Sequence, residues 1–497
     1  MTQTSMWFDR PKRQPYDSVD FGQRYDTVIV GAGLTGLITA LLYARGGDSV
    51  AVIEARTLGA VTTGNTTAKI SILQGAKLSS IASKHTQQQV RRYVDGNIAG
   101  QTWLLDYCAS RDIAVQRETA YTYATSAAGL KSVQEEMRLA LAAGIDASYT
   151  TTTELPFDVV GAVSVPNQAQ FDPMDAIEAL AEDAVTEGAH ITEGIRVRGV
   201  HRRLRHVDVT TDRGTVRAGR VVLATGTPTL DRGGFFARLE PLRSYAAAYE
   251  IEGPVPRGMY ISADSPSRSL RYAPTPTGDL LLVGGNGHVV GRESSPQSQV
   301  EDLDKWTAEN FPGASRRYRW SAQDYESIDV LPYAGPLLPG DDRICVATGY
   351  DKWGMTNAAA AAMVLAQRAF GGDLPWAGAY DSWNVRQLTG AVEAVRLNTN
   401  VAVNLTKGWI APLSTSPQSP PPAEGQGRIE RGVTPKAVCT VNGVTHTVSA
   451  VCPHLGGIVA WNDAEMSWDC PLHGSRFAAD GTVLEGPVTS NLSPRDN

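Results

Sequence analysis

Apolar positions change their period along this chain, and the changes divide it. After a stretch of mixed character reaching about Tyr25, residues 26–30 predict a short apolar strand. Leu34–Arg45 carries helical spacing and 49–53 predicts a second strand. Pro173 stands where the first position of a helix belongs, and the helical period runs to about Thr186. Residues 216–224 read as a further strand. Alternation of the two periods is the pattern of an α/β fold. Between roughly 236 and 325 the sequence favours short strands with Gly/Pro turns, which predicts a sheet-rich layer inserted into the α/β unit. Beyond 427 short strands and turns alternate without a helical period, as in a small all-β domain. Residues 412–427, PLSTSPQSPPPAEGQG, have nothing with which to pack a core and read as a linker, semi-extended at the prolines.

Composition narrows the function classes. A chain of 497 residues is long enough for about three domains, and 42% hydrophobic with 20% charged residues is ordinary for packed globular protein. A net charge of -7 argues against a nucleic-acid-binding surface. No apolar run approaches the roughly 20 residues of a membrane span, so no membrane partner is expected; the alanine-rich run at 358–362 reads as helix packing. The opening MTQTSMWFDRPKRQPYD lacks an apolar core, so no secretory signal is expected. Five cysteines do not make a disulfide framework, and the expected compartment is the reducing cytoplasm.

Gly31, Gly33 and Gly36 form G-x-G-x-x-G between the strand DTVIV and the first helix, and the next strand, SVAVI, ends at Glu54. Gly31 permits the tight turn, Gly33 lets the backbone approach a pyrophosphate, and Gly36 lets helix and strand pack closely. The helix N-terminus offers free N–H groups to phosphates, and Glu54 can accept hydrogen bonds from ribose hydroxyls. This predicts a dinucleotide site but does not separate NAD from FAD.

Further segments carry a family resemblance: VVLATG at 221–226, DVLPYAG at 329–335, and ATGYDKWGMT at 347–356 ahead of an alanine-rich helix. At these residues the chain resembles flavoproteins of the D-amino-acid oxidase and glycine oxidase superfamily. GNTTAKIS at 64–71 and WSAQDY at 320–325 resemble a subgroup of amine- or amino-acid-type dehydrogenases with a C-terminal Rieske domain. The resemblance covers essentially the whole chain. It implies FAD as cofactor, with Val197 contacting adenine through its backbone, Ala224, Thr225 and Gly226 lying near the FAD, and Gly349, Gly354, Met355 and Thr356 facing the flavin pyrimidine. A helix starting near Thr356 would point its positive end at the ring, where reduced flavin carries negative charge.

A second constellation lies near the C-terminus: Cys452-Pro-His454, then Cys470-Pro-Leu-His473-Gly-Ser475. Two thiolates and two imidazoles at this spacing could hold one zinc ion, or a [2Fe–2S] cluster with both cysteines on one iron and both histidines on the other. Each loop has cysteine before histidine, and Gly456, Gly457 and Gly474 allow tight loops whose N–H groups can point at sulfides; these flanks resemble the Rieske pattern. The high-potential respiratory type joins its loops through two cysteines, where this chain has Gly457 and Leu472, and has a tyrosine where Phe477 stands. The expected potential is therefore intermediate to low.

Together these features predict an α/β fold: a Rossmann-like FAD-binding domain with an inserted antiparallel-sheet substrate domain, plus a small all-β Rieske domain. The expected divisions are an arm at 1–25, the FAD-binding domain at 26–75, 171–235 and 326–411, the substrate domain at 76–170 and 236–325, the linker at 412–427 and the Rieske domain at 428–497. A two-electron acceptor joined to a one-electron relay predicts a dehydrogenase passing electrons from substrate through FAD and cluster to an acceptor. The resemblance implies oxidation of a C–N bond in a small amine or amino acid. The alternatives are a cluster-fed flavin reductase and a non-catalytic electron carrier or redox sensor. For the substrate site, Arg271 beside Tyr272 is the candidate carboxylate clamp; Lys352 adds positive charge near the ring and Trp353 walls the pocket. The arginine-dense stretch 195–220 reads as a solvated strand face, with docking of an acidic redox partner protein as the alternative.

Overall fold

The computed structural model describes residues 4–230, 232–383, 398, 401, 405, 409, 420–430 and 434–495. Two large sheets dominate. In the first, parallel strands Asp341–Thr348, Thr215–Leu223, Arg24–Val30, Val50–Ile53 and His190–Thr192 lie side by side in that order. Tyr333–Leu338 adds an antiparallel edge, and a hairpin of Val197–Arg202 and Val207–Thr211 hangs from Thr215–Leu223. Val50–Ile53 is buried throughout, as a parallel strand covered on both faces must be. The helix Leu34–Arg45 is buried along nearly its whole length between this sheet and the helices Pro173–Thr186 and Gly354–Phe370. Pro173 occupies the first turn of its helix, where a missing N–H costs nothing, and Asp172 caps it by accepting from the Met174 N–H at 2.9 Å.

The second sheet is mostly antiparallel and runs Ser315–Ser327, Leu239–Glu250, Leu280–Val289, Arg268–Ala273, Met259–Ser262, Val115–Ala124, Gly161–Phe171 and Lys69–Ile70. Its strands are not all short, as the turn-rich sequence suggests: Leu239–Glu250 has 12 residues and Ser315–Ser327 has 13. The block also contains a helix, Pro296–Asn310, that the sequence reading misses. That helix buries only Val300, Leu303 and Thr307 besides its first proline, so its apolar stripe is too thin to stand out.

The C-terminal unit carries a three-stranded sheet, Gly427–Glu430, Lys436–Val441 and Val444–Ser449, and a four-stranded one, Ala460–Asn462, Ser467–Asp469, Arg476–Ala478 and Val483–Glu485. Of the expected linker, 412–419 lie outside the described residues. Its end belongs with the C-terminal unit: Glu424 bridges to Thr440 and its carboxylate accepts the N–H groups of Asn442 and Gly443 at 2.7 and 3.0 Å. The arm also packs: Trp7 is 4% exposed and its indole N–H donates to the Thr66 carbonyl at 2.8 Å. Among the described residues no helix is long and apolar enough to cross a membrane.

Candidate functional site

The glycine-rich turn is shaped by close backbone approach. Gly31 has φ +103°, and a Cβ there would lie 2.5 Å from the Ala224 carbonyl oxygen. A Cβ at Gly36 would sit inside the van der Waals shell of the Gly31 oxygen, so Gly36 serves helix packing and does not border the cavity. Glu54 accepts the N–H groups of Ala32 and Arg56, each at 2.8 Å, one on each carboxylate oxygen. Each oxygen keeps a lone pair for a sugar hydroxyl. Burial pushes its pKa up against those two hydrogen bonds.

These residues open on a cavity of about 330 Å³. Gly31, Gly33, Glu54, Val197, Ala224, Thr225, Gly226, Gly349, Gly354 and Met355 all border it, as do Lys352 and Trp353. The cradle left by Gly31, Gly33 and Gly226, with Glu54 at one end and the first turn of Gly354–Phe370 at the other, fits a dinucleotide carrying a ring system. Thr356 is turned away: its hydroxyl donates to Asn97 at 2.6 Å and accepts from Gln74 at 3.2 Å, among buried side chains of the neighbouring helix Gln87–Ser110. Asp351 and Lys352 both have left-handed φ, 47° and 71°. Two such non-glycine residues in succession store strain beside the cavity. A buried ion pair holds them: Lys77 Nζ lies 2.7 Å from Asp351. Burial alone would push Asp351 up, but Lys77 holds its carboxyl below the usual range.

The substrate side corrects the sequence reading. Arg271 is 1% exposed and does not border the cavity. Its guanidinium donates to the carbonyls of Thr67, Ala68 and Phe171 at 2.8, 3.0 and 3.2 Å, and to Tyr272 at 2.9 Å. It braces the turn that contains Ala68 (φ 51°), and burial pushes its pKa down to about 9. Tyr272 is likewise engaged elsewhere, donating to Glu118 at 2.6 Å. Strand alternation explains Tyr272, which lies on the face opposite the cavity-lining Ser269, whereas Arg271 shares the Ser269 face and is drawn off by those backbone carbonyls; composition reports neither. Residues not anticipated from sequence do border the cavity, among them Lys69, Asp324, Ser269 and Asn286. Asp324 accepts the N–H groups of Tyr325 and Lys352 at 2.8 and 2.5 Å, and burial pushes its pKa up to about 6. Lys69 and Asp324 lie within the very segments that carry the family resemblance, the only sequence signal that could have marked them.

Cys452, His454, Cys470 and His473 come together on two facing loops. The imidazole centroids of His454 and His473 are 5.1 Å apart. The cysteine sulfurs are in hydrogen-bond contact, which holds Cys452 below the ordinary thiol value and Cys470 above it. Both loops fold back on themselves, with Gly456 N–H to Cys452 O at 3.0 Å and Gly474 N–H to Cys470 O at 3.1 Å. A Cβ at Gly457 would lie 2.7 Å from Leu472 and 3.1 Å from Cys470 Sγ, so Leu472 fills the space between the loops. Among the described residues no group of three or more His, Cys, Asp or Glu side chains gathers as a single-ion site requires. A two-iron cluster asks for only two protein ligands on each iron, and this donor set fits it.

The C-terminal unit is docked against the cavity. Its residues Leu484, Glu485, Gly486 and Thr489 form part of the cavity wall. Val488 N–H donates to Ser475 Oγ at 3.3 Å, so the wall segment also touches a ligand loop. Gln323 Nε2 bridges the two regions, donating to the cavity-lining Tyr325 hydroxyl and to the Gly474 carbonyl, each at 2.8 Å. Behind this lies a buried charge network. Arg243 pairs with Glu485 at 3.2 Å, and Arg476 pairs with Glu485 at 2.6 Å and Asp469 at 3.0 Å. Burial disfavours both acids' charges, yet Arg476 and Arg243 hold Asp469 and Glu485 below their usual values. Part of the arginine-dense stretch serves here too: Arg196 donates to Val483 O at 3.0 Å and Arg198 to Thr489 O.

Comparison with known proteins agrees with this geometry. Residues 26–368 match the DAO family of FAD dependent oxidoreductases, and 417–494 match the Rieske [2Fe-2S] domain. A Bacillus subtilis protein, YhfW, provisionally named a Rieske 2Fe-2S iron-sulfur protein, is 30% identical over 474 residues, 95% of this chain and 93% of that one. Among solved structures, glycine oxidase from Geobacillus kaustophilus superposes with TM-score 0.60 at 19% identity, covering 71% of this chain and 96% of that one. L-Proline dehydrogenase from P. horikoshii gives 0.58 at 17% identity, covering 71% and 95%. At such identities the superpositions speak for the fold.

Proposed function

Since the chain belongs to the FAD-dependent oxidoreductase family and carries a Rieske [2Fe-2S] domain, we propose that it is a dehydrogenase of small amines or amino acids whose electrons leave through the cluster. When bound, FAD supplies a hydride acceptor and the cluster a one-electron relay. The observation that carries the reading is the shared wall: one cavity is bounded by the dinucleotide turn, by the large antiparallel sheet and by residues 484–486 of the Rieske domain. The names of the structural neighbours, glycine oxidase and L-proline dehydrogenase, support amines or amino acids as the substrate class.

The chain's own residues have definable tasks in this reading. Gly31 and Gly33 admit the pyrophosphate, and Glu54 takes ribose hydroxyls. The first turn of Gly354–Phe370, with Lys352, places positive potential where charge accumulates on the ring. Trp353 and Tyr245 wall the substrate space and exclude water. Gln323 and Ser475 hold the Cys470–His473 ligand loop against the cavity wall, where it would carry the cluster beside the flavin site. A redox partner protein would accept the electrons.

An anaerobic panel of amines and amino acids, followed by visible absorbance and spin resonance, tests the proposal. A substrate should bleach the flavin and produce the signal of the reduced cluster, and in air it should yield little peroxide. Stoichiometric peroxide with a silent cluster would identify an oxidase, and no bleaching by any amine would overturn the reading.

A further inference from the structure

Two lysines of one stretch lie beside the cavity, Lys77 buried and Lys69 half-buried in its wall, and the fold treats them oppositely. Lys77 is ion-paired with Asp351, and although burial opposes its charge, that carboxylate holds its pKa above the ordinary value. Lys69 forms no ion pair with any carboxylate among the described residues. Its Nζ donates to two neutral acceptors, the Tyr260 carbonyl at 2.7 Å and the Ser269 hydroxyl at 2.6 Å. Burial pushes its pKa well below the ordinary lysine value, and the positive charge of Arg271 adds to this. The position is not incidental. The residue before it, Ala68, is wholly buried with φ 51°, and Arg271 is spent on holding the carbonyls of Thr67 and Ala68.

The groups facing Lys69 leave it in this state. Arg268, on the same strand as Ser269, is paired to Asp302 at 2.6 Å. The Tyr260 hydroxyl is engaged with Glu154 at 3.3 Å. The cavity wall carries another lysine, Lys352. An amine held largely away from water without a counter-ion has its charged form disfavoured and its neutral form favoured. A neutral amine that gives two N–H bonds to the protein keeps one lone pair, and Lys69 borders the cavity together with Ser267, Ser269 and Asn286.

We propose that Lys69 is the proton acceptor of the reaction, taking the proton from the substrate ammonium so that hydride can leave a neutral amine. The inference rests on the amine-dehydrogenase reading above. In the step one substrate N–H bond breaks and one Lys69 Nζ–H bond forms; no electrons change hands, and the positive charge moves from substrate to lysine. With its nitrogen lone pair freed, the substrate could then give up hydride from the adjoining carbon to FAD when that is bound, and the Lys69 ammonium returns its proton to water. Asp324 is the rival acceptor on the cavity wall, but both its oxygens already serve the backbone N–H groups of Tyr325 and Lys352.

Two measurements on the full-length holoenzyme test this. The first needs no variant and no turnover: trace acetylation by acetic anhydride, an electrophile that does not itself titrate, with rates taken relative to an added standard amine and read peptide by peptide by mass spectrometry. Lys69 should react at pH 7 at a rate that stays flat to pH 9, whereas surface lysines such as Lys131 should quicken about tenfold per pH unit. A Lys69 rate that climbs as theirs does, or no labelling of Lys69 at any pH, overturns the proposal. The second is anaerobic flavin reduction by glycine and L-proline in the wild type, Lys69→Met and Asp324→Asn. Wild type and Asp324→Asn should show little change between pH 7 and 9, while Lys69→Met should be at least tenfold slower at pH 7 and recover about tenfold per unit as free neutral amine becomes available. Bleaching in the wild type with an unchanged profile in Lys69→Met refutes the role of Lys69 and leaves the dehydrogenase standing. If no amine bleaches the wild type, the functional reading falls, whatever the labelling shows.

Discussion

Replacing Arg243 by methionine probes whether the Rieske domain closes the flavin cavity. Arg243 is 1% exposed and comes from the strand Leu239–Glu250, while Glu485, Arg476, Asp469 and Glu465 come from the Rieske domain. In the intact protein two guanidinium groups face three carboxylates; in Arg243→Met one does. Breaking a buried pair from one side typically costs about 3–5 kcal/mol, because the abandoned charge remains buried. Glu485 keeps Arg476 at 2.6 Å and the Glu465 side chain is 26% exposed, so the lower end applies, about 3 kcal/mol. That is roughly a hundredfold in the docking equilibrium. Because Leu484, Glu485 and Gly486 border the cavity, looser docking should appear as faster FAD release. The assay is flavin fluorescence on dilution, beside denaturant unfolding of the same holoenzyme. The double variant Arg243→Met/Glu485→Gln should recover at least about 1 kcal/mol relative to additivity, since the orphaned charge is removed. An Arg243→Met protein within about 0.5 kcal/mol of wild type, releasing FAD at the wild-type rate, would refute the reasoning.

Three further outcomes follow from the same structure. Asp324 titrates near 6 in the fold against roughly 4 when unfolded, so its charged form is the disfavoured one. It contributes nothing below pH 4 and becomes increasingly destabilising as pH rises through 6, by on the order of 3 kcal/mol at most; thermal melts of Asp324→Asn should therefore gain on wild type between pH 4 and 7, and a constant difference would contradict the assignment. Gly36→Ala drives a Cβ into the Gly31 oxygen, so the purified protein should lose most of its flavin yet keep its cluster spin-resonance signal; normal FAD content would oppose the packing argument. Arg271→Lys should cost about 2–4 kcal/mol by abandoning its carbonyl partners; a raised KM at unchanged stability would instead restore Arg271 as a substrate clamp.

Both cofactor sites were legible in the chain because their chemistry is local. A dinucleotide turn needs glycine at positions set by a single strand–turn–helix, and Gly31, Gly33 and Gly36 meet that need within six residues. The cluster ligands sit on two short loops, so the pairing of cysteine with histidine is written into each. The substrate side was misread for the opposite reason. Arg271 beside Tyr272 looked like a clamp, yet Tyr272 lies on the strand face opposite Ser269, which borders the cavity, and Arg271, on the Ser269 face, is drawn off to the carbonyls of Thr67, Ala68 and Phe171.

By itself, then, the sequence determined the α/β and all-β periods, the FAD turn and the two Cys–His loops, since each depends on residues close together along the chain. Only the tertiary structure decided that the Rieske domain walls the flavin cavity, that Arg243 meets Glu485 from 242 positions away, and that Lys69 has no carboxylate partner among the described residues while Lys77 has one. Those outcomes depend on which side chains packing brings together and how far it removes them from water, and neither property is carried by a residue's neighbours in sequence.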